Sequence, residues 1–203
     1  FLVASTAEWQ SRFAGWLQDP VRKEMYLARP LFDLRPVHGR EPLWHDAVRA
    51  LEGAVQPDFI QVLANDCLAS LPPLTFFQDA VVDEAGEQNA VFRLEHSALQ
   101  PLVDVGRVFG MAAKKVFGTS TEERFAMARS LLPDHESIFR EAAGVLQAVL
   151  FQQGRIGISQ GAAGAELPPA LLGRYDRQVL KSGFRSILRL IEFTGNWEWI
   201  KAL

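Results

Sequence analysis

The chain has 203 residues, of which 48% are hydrophobic and 22% charged, so it can bury a sizeable core, and a disordered chain is excluded. Its formal net charge of −3 excludes non-specific nucleic-acid binding by the whole surface, although it leaves room for a local basic patch. The single cysteine, Cys67, excludes an intramolecular disulfide and a cysteine-based zinc cluster, and it favours a reducing cytoplasm.

The first stretch, FLVASTAEW, has neither an initiator methionine nor the basic region of a signal peptide, so we expect an excised piece of a longer protein. A helix is predicted over residues 5–17, because aromatic residues recur at helical spacing and Ser5 forms a capping box with Glu8. A second, short helix is predicted over residues 20–26 and is stopped by Pro30.

The segment FDLRPVHG, residues 32–39, predicts a short strand that ends at its proline and glycine. Strict alternation along a strand places Asp33 and Arg35 on one face, with Leu34 on the other. Two interpretations follow. The two charges belong to an active site, or they form an ion pair at the end of the strand, which is a modest stabiliser when exposed.

Helical patterns dominate the rest of the chain. Helices are predicted over residues 41–55, 57–70, 97–116 and 119–131, the last of them with a capping box, and from Asp134, which would act as its cap. Two strand-like runs around EAGEQ predict a β-hairpin over residues 75–95. A glycine- and alanine-rich loop is predicted over residues 154–165, followed by a last helix from Pro168 to Phe193. The predicted fold is mainly α, an antiparallel helical bundle with a short N-terminal strand and a small β-hairpin.

Two short motifs are better explained by structure than by chemistry. The run GISQG at residues 157–161 matches the G-x-S-x-G nucleophile elbow, but the elbow needs a preceding strand and a later histidine, and all four histidines precede Ser159. The run Asp134-His135-Glu136 fits acidic residues at a helix start better than a metal site. The scattered histidines argue against a zinc site.

Two basic features have both a structural and a functional interpretation. One is a row at every fourth position of the last predicted helix, Arg177, Lys181, Arg185 and Arg189, which drifts by only about 40° per step and so stays on one side. One interpretation of the row is a solvated helix face, and the other is a surface that binds phosphates or an acidic partner. For the row as a whole, the solvated face is favoured. The other is Arg107, three positions after Asp104, which is either a structural ion pair or a phosphate clamp.

Four segments together resemble one protein family. FDLRPVHG, FRLEHSALQPLVDVGRVFGMA at residues 92–112, GTSTEERF at 118–125 and EAAGVLQAVL at 141–150 follow one another as in bacterial signalling nucleotidyltransferases. The chain resembles the C-terminal half of these proteins, in which cyclic-nucleotide-binding and CBS domains often precede the nucleotidyltransferase domain. They are related to PII-protein uridylyltransferase. The run at residues 33–36 also resembles the D-L-R-L-R-P element of glutamine-synthetase adenylyltransferases.

The resemblance implies a division of the chain. Residues 1–39 would be the tail end of a catalytic domain, and residues 40–203 a helical substrate-binding or regulatory bundle. In this superfamily three carboxylates hold divalent metal ions, which neutralise the triphosphate. Asp33 would be the third carboxylate, and so a catalytic residue and a Mg²⁺ ligand. The residues expected to bind substrate are Arg35, Arg107, Arg177 and Lys181.

The chain departs from the family pattern in its missing catalytic motifs. No D-x-D occurs, and Gly118-Thr119-Ser120 is not a G-S loop after a strand, so we expect no transfer by this chain alone. One hypothesis is the substrate-binding portion of a uridylyl- or adenylyltransferase in signal transduction, with a nucleoside triphosphate and a protein or small molecule as its partners. The alternative is a regulatory protein-interaction module without chemistry. No nucleic acid or membrane is expected as a partner, and exposed ends of truncated strands would favour a homodimer.

Overall fold

The computed structural model describes residues 4–19, 32–68, 92–115, 120–168 and 171–202, and helices dominate them, as predicted. The α-helices are α1 (Thr6–Gln18), α2 (Glu41–Ala54), α3 (Pro57–Leu68), α4 (Gln100–Ala112), α5 (Thr121–Leu131), α6 (Glu136–Gln160) and α7 (Arg174–Gly195). The shorter elements are a π-helix (Glu95–Leu99), two 3₁₀ segments (Pro133–His135 and Trp197–Ala202) and the strands β1 (Phe92–Arg93) and β2 (Glu166–Leu167). The helix predicted over residues 20–26 lies outside the described residues.

Two helices start at the predicted capping boxes. At α1, the Ser5 hydroxyl accepts the Glu8 N–H at 3.3 Å, and the Glu8 carboxylate accepts the Ser5 N–H at 2.7 Å. At α5, Ser120 and Glu123 repeat the arrangement at 3.2 and 2.6 Å. Hydrogen bonds from the serine backbone and side chain hold the pKa of both glutamates below the usual value. Each box therefore satisfies two backbone donors that the helix itself leaves unpaired.

The long helices α6 and α7 run antiparallel at the centre of the fold. Glu141, early in α6, contacts Ser186, late in α7, whereas Gln152, later in α6, contacts Asp176 at the start of α7. Helix α6 also packs against α5, and α7 packs against α3 and α4. The predicted inward positions of α7 are confirmed, since its buried side chains include Leu180, Phe184, Ile187 and Ile191.

An aromatic cluster ties α4 and α6 to the C-terminal 3₁₀ segment. The ring of Phe109 lies 4.7 Å from that of Phe139 and 4.7 Å from that of Trp199, and all three side chains are buried. Tilted and edge-to-face contacts of this kind add to the area that aromatic residues bury. The described helices therefore share one core, and none of them is long and apolar enough to span a membrane.

The predicted strand at residues 32–35 is wrong. Phe32 and Asp33 form a 3₁₀ turn, and residues 34–37 have no regular structure. An extended segment becomes a strand only where a neighbouring strand completes its hydrogen bonds. Here side chains hold the segment instead, because Phe32 is buried and Asp33 is paired with two arginines.

The predicted loop at residues 154–165 is also wrong over its first half. Helix α6 continues through Gly154 to Gln160 and ends at Gly161, whose φ of 63° is left-handed. Buried Gln152 and Ile156 continue the inward face, and packing outweighs the roughly 1 kcal/mol that glycine costs in a helix. The next helix starts at Arg174 rather than at Pro168.

Two smaller predictions concern the start of α6 and the hairpin. Asp134 lies inside a 3₁₀ turn, and the residue that precedes α6 is His135, which makes no side-chain capping bond, so the predicted Asp134 cap is wrong. The turn displaces the cap position by one residue, from Asp134 to His135. Strand β1 pairs antiparallel with β2. The other strand of the predicted hairpin lies outside the described residues.

Candidate functional site

The segment that carries Asp33 is fixed to the helical core by its neighbour, Phe32. The Phe32 side chain is 3% exposed, and its ring meets that of Phe59 on α3 edge to face at 6.0 Å. Burying a phenylalanine stabilises by roughly 1.5–3 kcal/mol. This contact places Asp33 at the surface of α4 and α5.

Two arginines hold the carboxylate of Asp33, an arrangement that we call the arginine clamp (Arg107 and Arg124). Arg107 Nε donates to Asp33 Oδ2 at 2.9 Å, and Arg107 Nη2 donates to the same oxygen. Arg124 Nη1 donates to Asp33 Oδ1 at 2.7 Å. Arg124 Nη2 also donates to the carbonyl oxygen of Phe32 at 3.1 Å. Both oxygens of Asp33 are therefore engaged by guanidinium groups.

A second carboxylate completes the charge balance of the clamp. Arg107 Nη1 donates to Asp104 Oδ1 at 2.7 Å, one turn earlier on α4. The Gln100 amide donates to the same oxygen at 3.0 Å. The Asp104 side chain is 4% exposed. The predicted i, i+3 pair of Asp104 and Arg107 is thus present, and two carboxylates face two guanidinium groups.

Glycines on α4 let α5 approach closely enough for the clamp to form. A Cβ at Gly110 would lie 3.2 Å from the Arg124 side chain, and a Cβ at Gly106 would lie 2.9 Å from Thr121. Arg124 fills this space and is only 1% exposed. A buried guanidinium is tolerated when its donors are satisfied and a carboxylate neutralises it. The glycines of the predicted "DVGRVFG" stretch therefore serve the packing of a buried charge.

The electrostatics of Asp33 follow from these contacts. Burial by itself raises the pKa of Asp33, but the hydrogen bonds and charges of Arg107, and then of Arg124, outweigh it. The pKa of Asp33 is therefore held below the ordinary aspartate value. Asp33 is ionised over the whole neutral range and acts as the anion of the clamp.

The surroundings of Asp33 do not fit a divalent cation. Both oxygens already accept from arginine, and two adjacent positive charges disfavour a third cation. Among the described residues, no group of three His, Cys, Asp or Glu side chains is placed to hold a metal ion. The geometry therefore favours a structural ion pair, with Arg107 and Arg124 as the partners instead of the expected Arg35.

The other predicted substrate-binding residues lie apart from the clamp contacts. The Arg35 side chain is exposed. Arg177 Nε donates to the carbonyl oxygen of Leu172 at 3.1 Å, and Lys181 is half-buried on α7. Of the predicted site residues, the structure brings together Asp33 and Arg107. Their roles in substrate binding stay predictions.

Sequence reasoning missed Arg124, the most buried member of the clamp. The sequence offered one signal, because Arg124 precedes Ala128 by one helical turn and therefore shares a face of the helix with it. In the structure both side chains are buried. A cation on the inward face of a helix needs an anion nearby, but the sequence does not say which one. Asp33 lies 91 positions earlier in the chain.

The G-x-S-x-G run is confirmed as structural. Ser159 lies in the last turn of α6, and its hydroxyl donates to the carbonyl oxygen of Ile156 at 2.9 Å. A nucleophile elbow requires a strand immediately before the serine, and a helix occupies that position here. The hydrolase interpretation is therefore excluded by the local fold.

Comparison with known proteins gives one match. A family model described as "Putative nucleotidyltransferase substrate binding domain" matches residues 57–196. The matched region begins with α3 and ends just after α7, and it contains both arginines of the clamp. No curated protein and no solved structure matches the chain.

Proposed function

Because the chain belongs to this family of nucleotidyltransferase substrate-binding domains, we propose that it is the substrate-binding portion of an enzyme that transfers a uridylyl or adenylyl group in signal transduction. The observation that carries the proposal is the family match over residues 57–196, which spans the shared helical core. In this proposal residues 1–39 are the tail of a catalytic domain, and the helical part holds the acceptor, which is a protein or a small molecule. The enzyme works in the cytoplasm of a bacterium.

The arginine clamp gives the proposal a physical basis. A substrate-binding domain contributes to transfer only if it is held in a fixed orientation to the reacting groups, since small displacements are costly in rate. Asp33 and buried Phe32 attach the segment before α2 to α3, α4 and α5. We assign Asp33 and Arg107 a positioning role, in which they fix the helical part relative to the preceding domain.

In this proposal the Mg²⁺ that accompanies the nucleoside triphosphate is held by carboxylates of the catalytic domain. Asp33 is not one of them, since its oxygens are taken by arginine. The chain alone, which lacks D-x-D, performs no transfer. In this proposal the exposed side chain of Arg35 contacts the phosphates of the substrate.

Transfer assays test the proposal. The natural polypeptide that contains this chain together with a nucleotidyltransferase domain should transfer label from a nucleoside triphosphate in the presence of Mg²⁺, and the 203-residue chain should not. Absence of transfer from all four ribonucleoside triphosphates would refute the proposal.

A variant of the same polypeptide separates the two roles of Asp33. In Asp33→Asn, the Mg²⁺ concentration for half-maximal rate should stay unchanged while the rate falls, because the variant loosens the domain and leaves the metal site intact. A Mg²⁺ requirement that rises about tenfold or more would restore the metal-binding role. Asp46→Asn, at an exposed position on α2, serves as the matched control.

A non-catalytic protein-interaction module is the second candidate. It is favoured by the exposed Arg185 and half-buried Lys181 on one side of α7. Partner binding without transfer by the longer polypeptide would support it.

A further inference from the structure

Helices α1 and α2 stand apart from the bundle that the family model matches. They pack against each other, and among the described elements neither packs against α3–α7 to a comparable extent. Both lie before residue 57, where the match begins. Two helices by themselves bury too little apolar surface to be stable. A pair of this kind therefore needs a further apolar surface to pack against.

A groove lies between α1, the start of α2 and the segment of residues 34–40. It encloses about 610 Å³, a volume within the range of natural binding sites. Its lining includes the buried ring of Phe13 and the half-buried rings of Trp9 and Trp44. The groove is distinct from the arginine clamp, in which Asp33 contacts α4 and α5.

Three large aliphatic side chains that line the groove are exposed to solvent. The exposed fraction is 91% for Val37, 47% for Leu43 and 39% for Leu34. A single exposed aliphatic residue is ordinary, but a contiguous apolar patch marks a surface that contacts another macromolecule. The groove is therefore the kind of surface that a protein partner covers.

The groove also carries a cation that the described part of the chain leaves unpaired. Arg40 lines the groove, makes no capping bond to α2 and forms no ion pair with any described residue. Glu41 lines the groove too, but its carboxylate lies 3.5 Å from His45 Nε2 and in the first turn of α2, where the helix dipole favours it. The remaining ionisable residue of the lining, His38, brings no negative charge. The surface therefore fits an apolar partner that carries a carboxylate.

The position of the groove indicates which partner covers it. Most of its lining lies within residues 1–39, which the proposed function assigns to the tail of a catalytic domain, and the remainder lies at or near the start of α2. Ala4 is part of the lining, so in the proposed polypeptide the rest of that domain is attached only a few residues from the groove. Such a tether gives the domain a high effective concentration at this surface.

We propose that the rest of the catalytic domain docks into the α1–α2 groove. Its apolar side chains cover Val37, Leu34 and Leu43, and a carboxylate of the domain pairs with Arg40. Because residues 34–37 directly follow Asp33, docking here joins the catalytic domain to the segment that the arginine clamp holds on α4 and α5. The inference rests on the proposed function and names the surface by which the helical part is oriented.

Thiol labelling of the longer natural polypeptide tests the inference. Val37→Cys places a thiol on the groove, and Ile158→Cys places one on α6, outside the groove, where the native side chain is 87% exposed. Reaction with iodoacetamide is followed by mass spectrometry of the peptides, with buried Cys67 as an internal reference. Val37→Cys should react at least about tenfold more slowly in the longer polypeptide than in the 203-residue chain, because the docked state is then about 90% populated or more. Ile158→Cys should react at the same rate in both.

Matched variants locate the docking surface. Leu43 and Leu150 are 47% and 46% exposed, and Leu150 lies on α6 outside the groove. In the longer polypeptide with Val37→Cys, Leu43→Glu should restore fast labelling, because docking would bury an unpaired carboxylate, whereas Leu150→Glu should not. Arg40→Glu should also speed labelling, and Arg49→Glu, at an exposed position further along α2, should not. All four variants of the 203-residue chain should keep a cooperative urea transition, which separates undocking from loss of the fold.

Three results would overturn the inference. They are equal labelling rates of Val37→Cys in the two proteins, equal effects of Leu43→Glu and Leu150→Glu, and a protection of Val37→Cys in the 203-residue chain that rises with protein concentration, since a second copy would then cover the groove. Labelling needs no transfer chemistry. Protection of Val37→Cys in a longer polypeptide that shows no transfer would overturn the proposed function alone, and transfer with an unprotected Val37→Cys would overturn this inference alone.

Discussion

Replacing Asp33 by alanine removes one of the two carboxylates that face the arginine clamp and leaves Arg124 buried. Arg124 is 1% exposed and would keep the Phe32 carbonyl as an acceptor but lose the carboxylate of Asp33. Removing one partner of a fully buried ion pair costs about 3–5 kcal/mol, and an exposed pair contributes about 0–1 kcal/mol. Because the Asp33 side chain is 37% exposed, we expect an intermediate loss of about 2–3 kcal/mol for Asp33→Ala.

Asparagine at the same position should cost less. Its amide oxygen still accepts from Arg124, but the charge is lost, so we expect a decrease of about 1–2 kcal/mol in the free energy of unfolding. Urea titrations followed by tryptophan fluorescence give this free energy. An unchanged m-value would show that the variant exposes the same surface area on unfolding as the wild-type chain. In thermal unfolding each kcal/mol should lower Tm by about 2–4 °C.

The control for this prediction is an ion pair at the surface. Asp46 lies 3.7 Å from Arg49 on α2, and both side chains are largely exposed. We expect Asp46→Ala to change the free energy of unfolding by no more than about 0.5 kcal/mol. If Asp33→Ala cost no more than Asp46→Ala, the clamp would not anchor the segment, and the positioning role would lose its physical basis.

Three further predictions, on pH dependence, helix capping and helix packing, are tested by urea unfolding. The folded-state pKa of Asp33 is lowered, so its stabilisation is present above the ordinary carboxyl pKa and is lost as the pH falls through the folded-state value; the difference between the wild-type chain and Asp33→Asn should therefore shrink below about pH 4. Ser120→Ala removes the cap of α5 and should cost about 1 kcal/mol; no loss would mean that the capping box is redundant. Gly106→Val forces a methyl group against Thr121 and should cost about 1–3 kcal/mol, whereas Gly53→Ala, in open space on α2, should stabilise by about 0.4–1 kcal/mol. Equal effects of the two glycine changes would contradict the close approach of α4 and α5.

Local patterns predicted the helices well where the cause is local. The capping box of Ser5 and Glu8 is complete within four residues, and so is that of Ser120 and Glu123. The apolar stripe of α7 needs only helical periodicity to identify its inward face. The same logic failed over residues 154–160, where the glycine-rich composition suggested a loop. There, packing of Gln152 and Ile156 against neighbouring helices holds the helix together.

The site shows where sequence reasoning stops. Asp33 and Arg107 were singled out from their own surroundings, but their pairing joins positions 74 residues apart. Arg124 was missed because Asp33, which pairs with it, lies 91 positions earlier in the chain. The Asp33 segment was predicted as a strand, yet its conformation is set by contacts of its side chains with α3, α4 and α5.

By itself, the sequence determined the helical class, most helix boundaries and the family resemblance, because caps, periodicity and motifs depend on residues within a few positions of one another. Only the tertiary structure decided that Asp33 is bound by two arginines, and that Arg124 is buried where α4 and α5 meet. These features depend on how closely helices approach, and that distance is set by glycines and buried side chains from different parts of the chain. The partners of a charged residue in a short motif, such as Asp33, are therefore known only once the helices around it are in place.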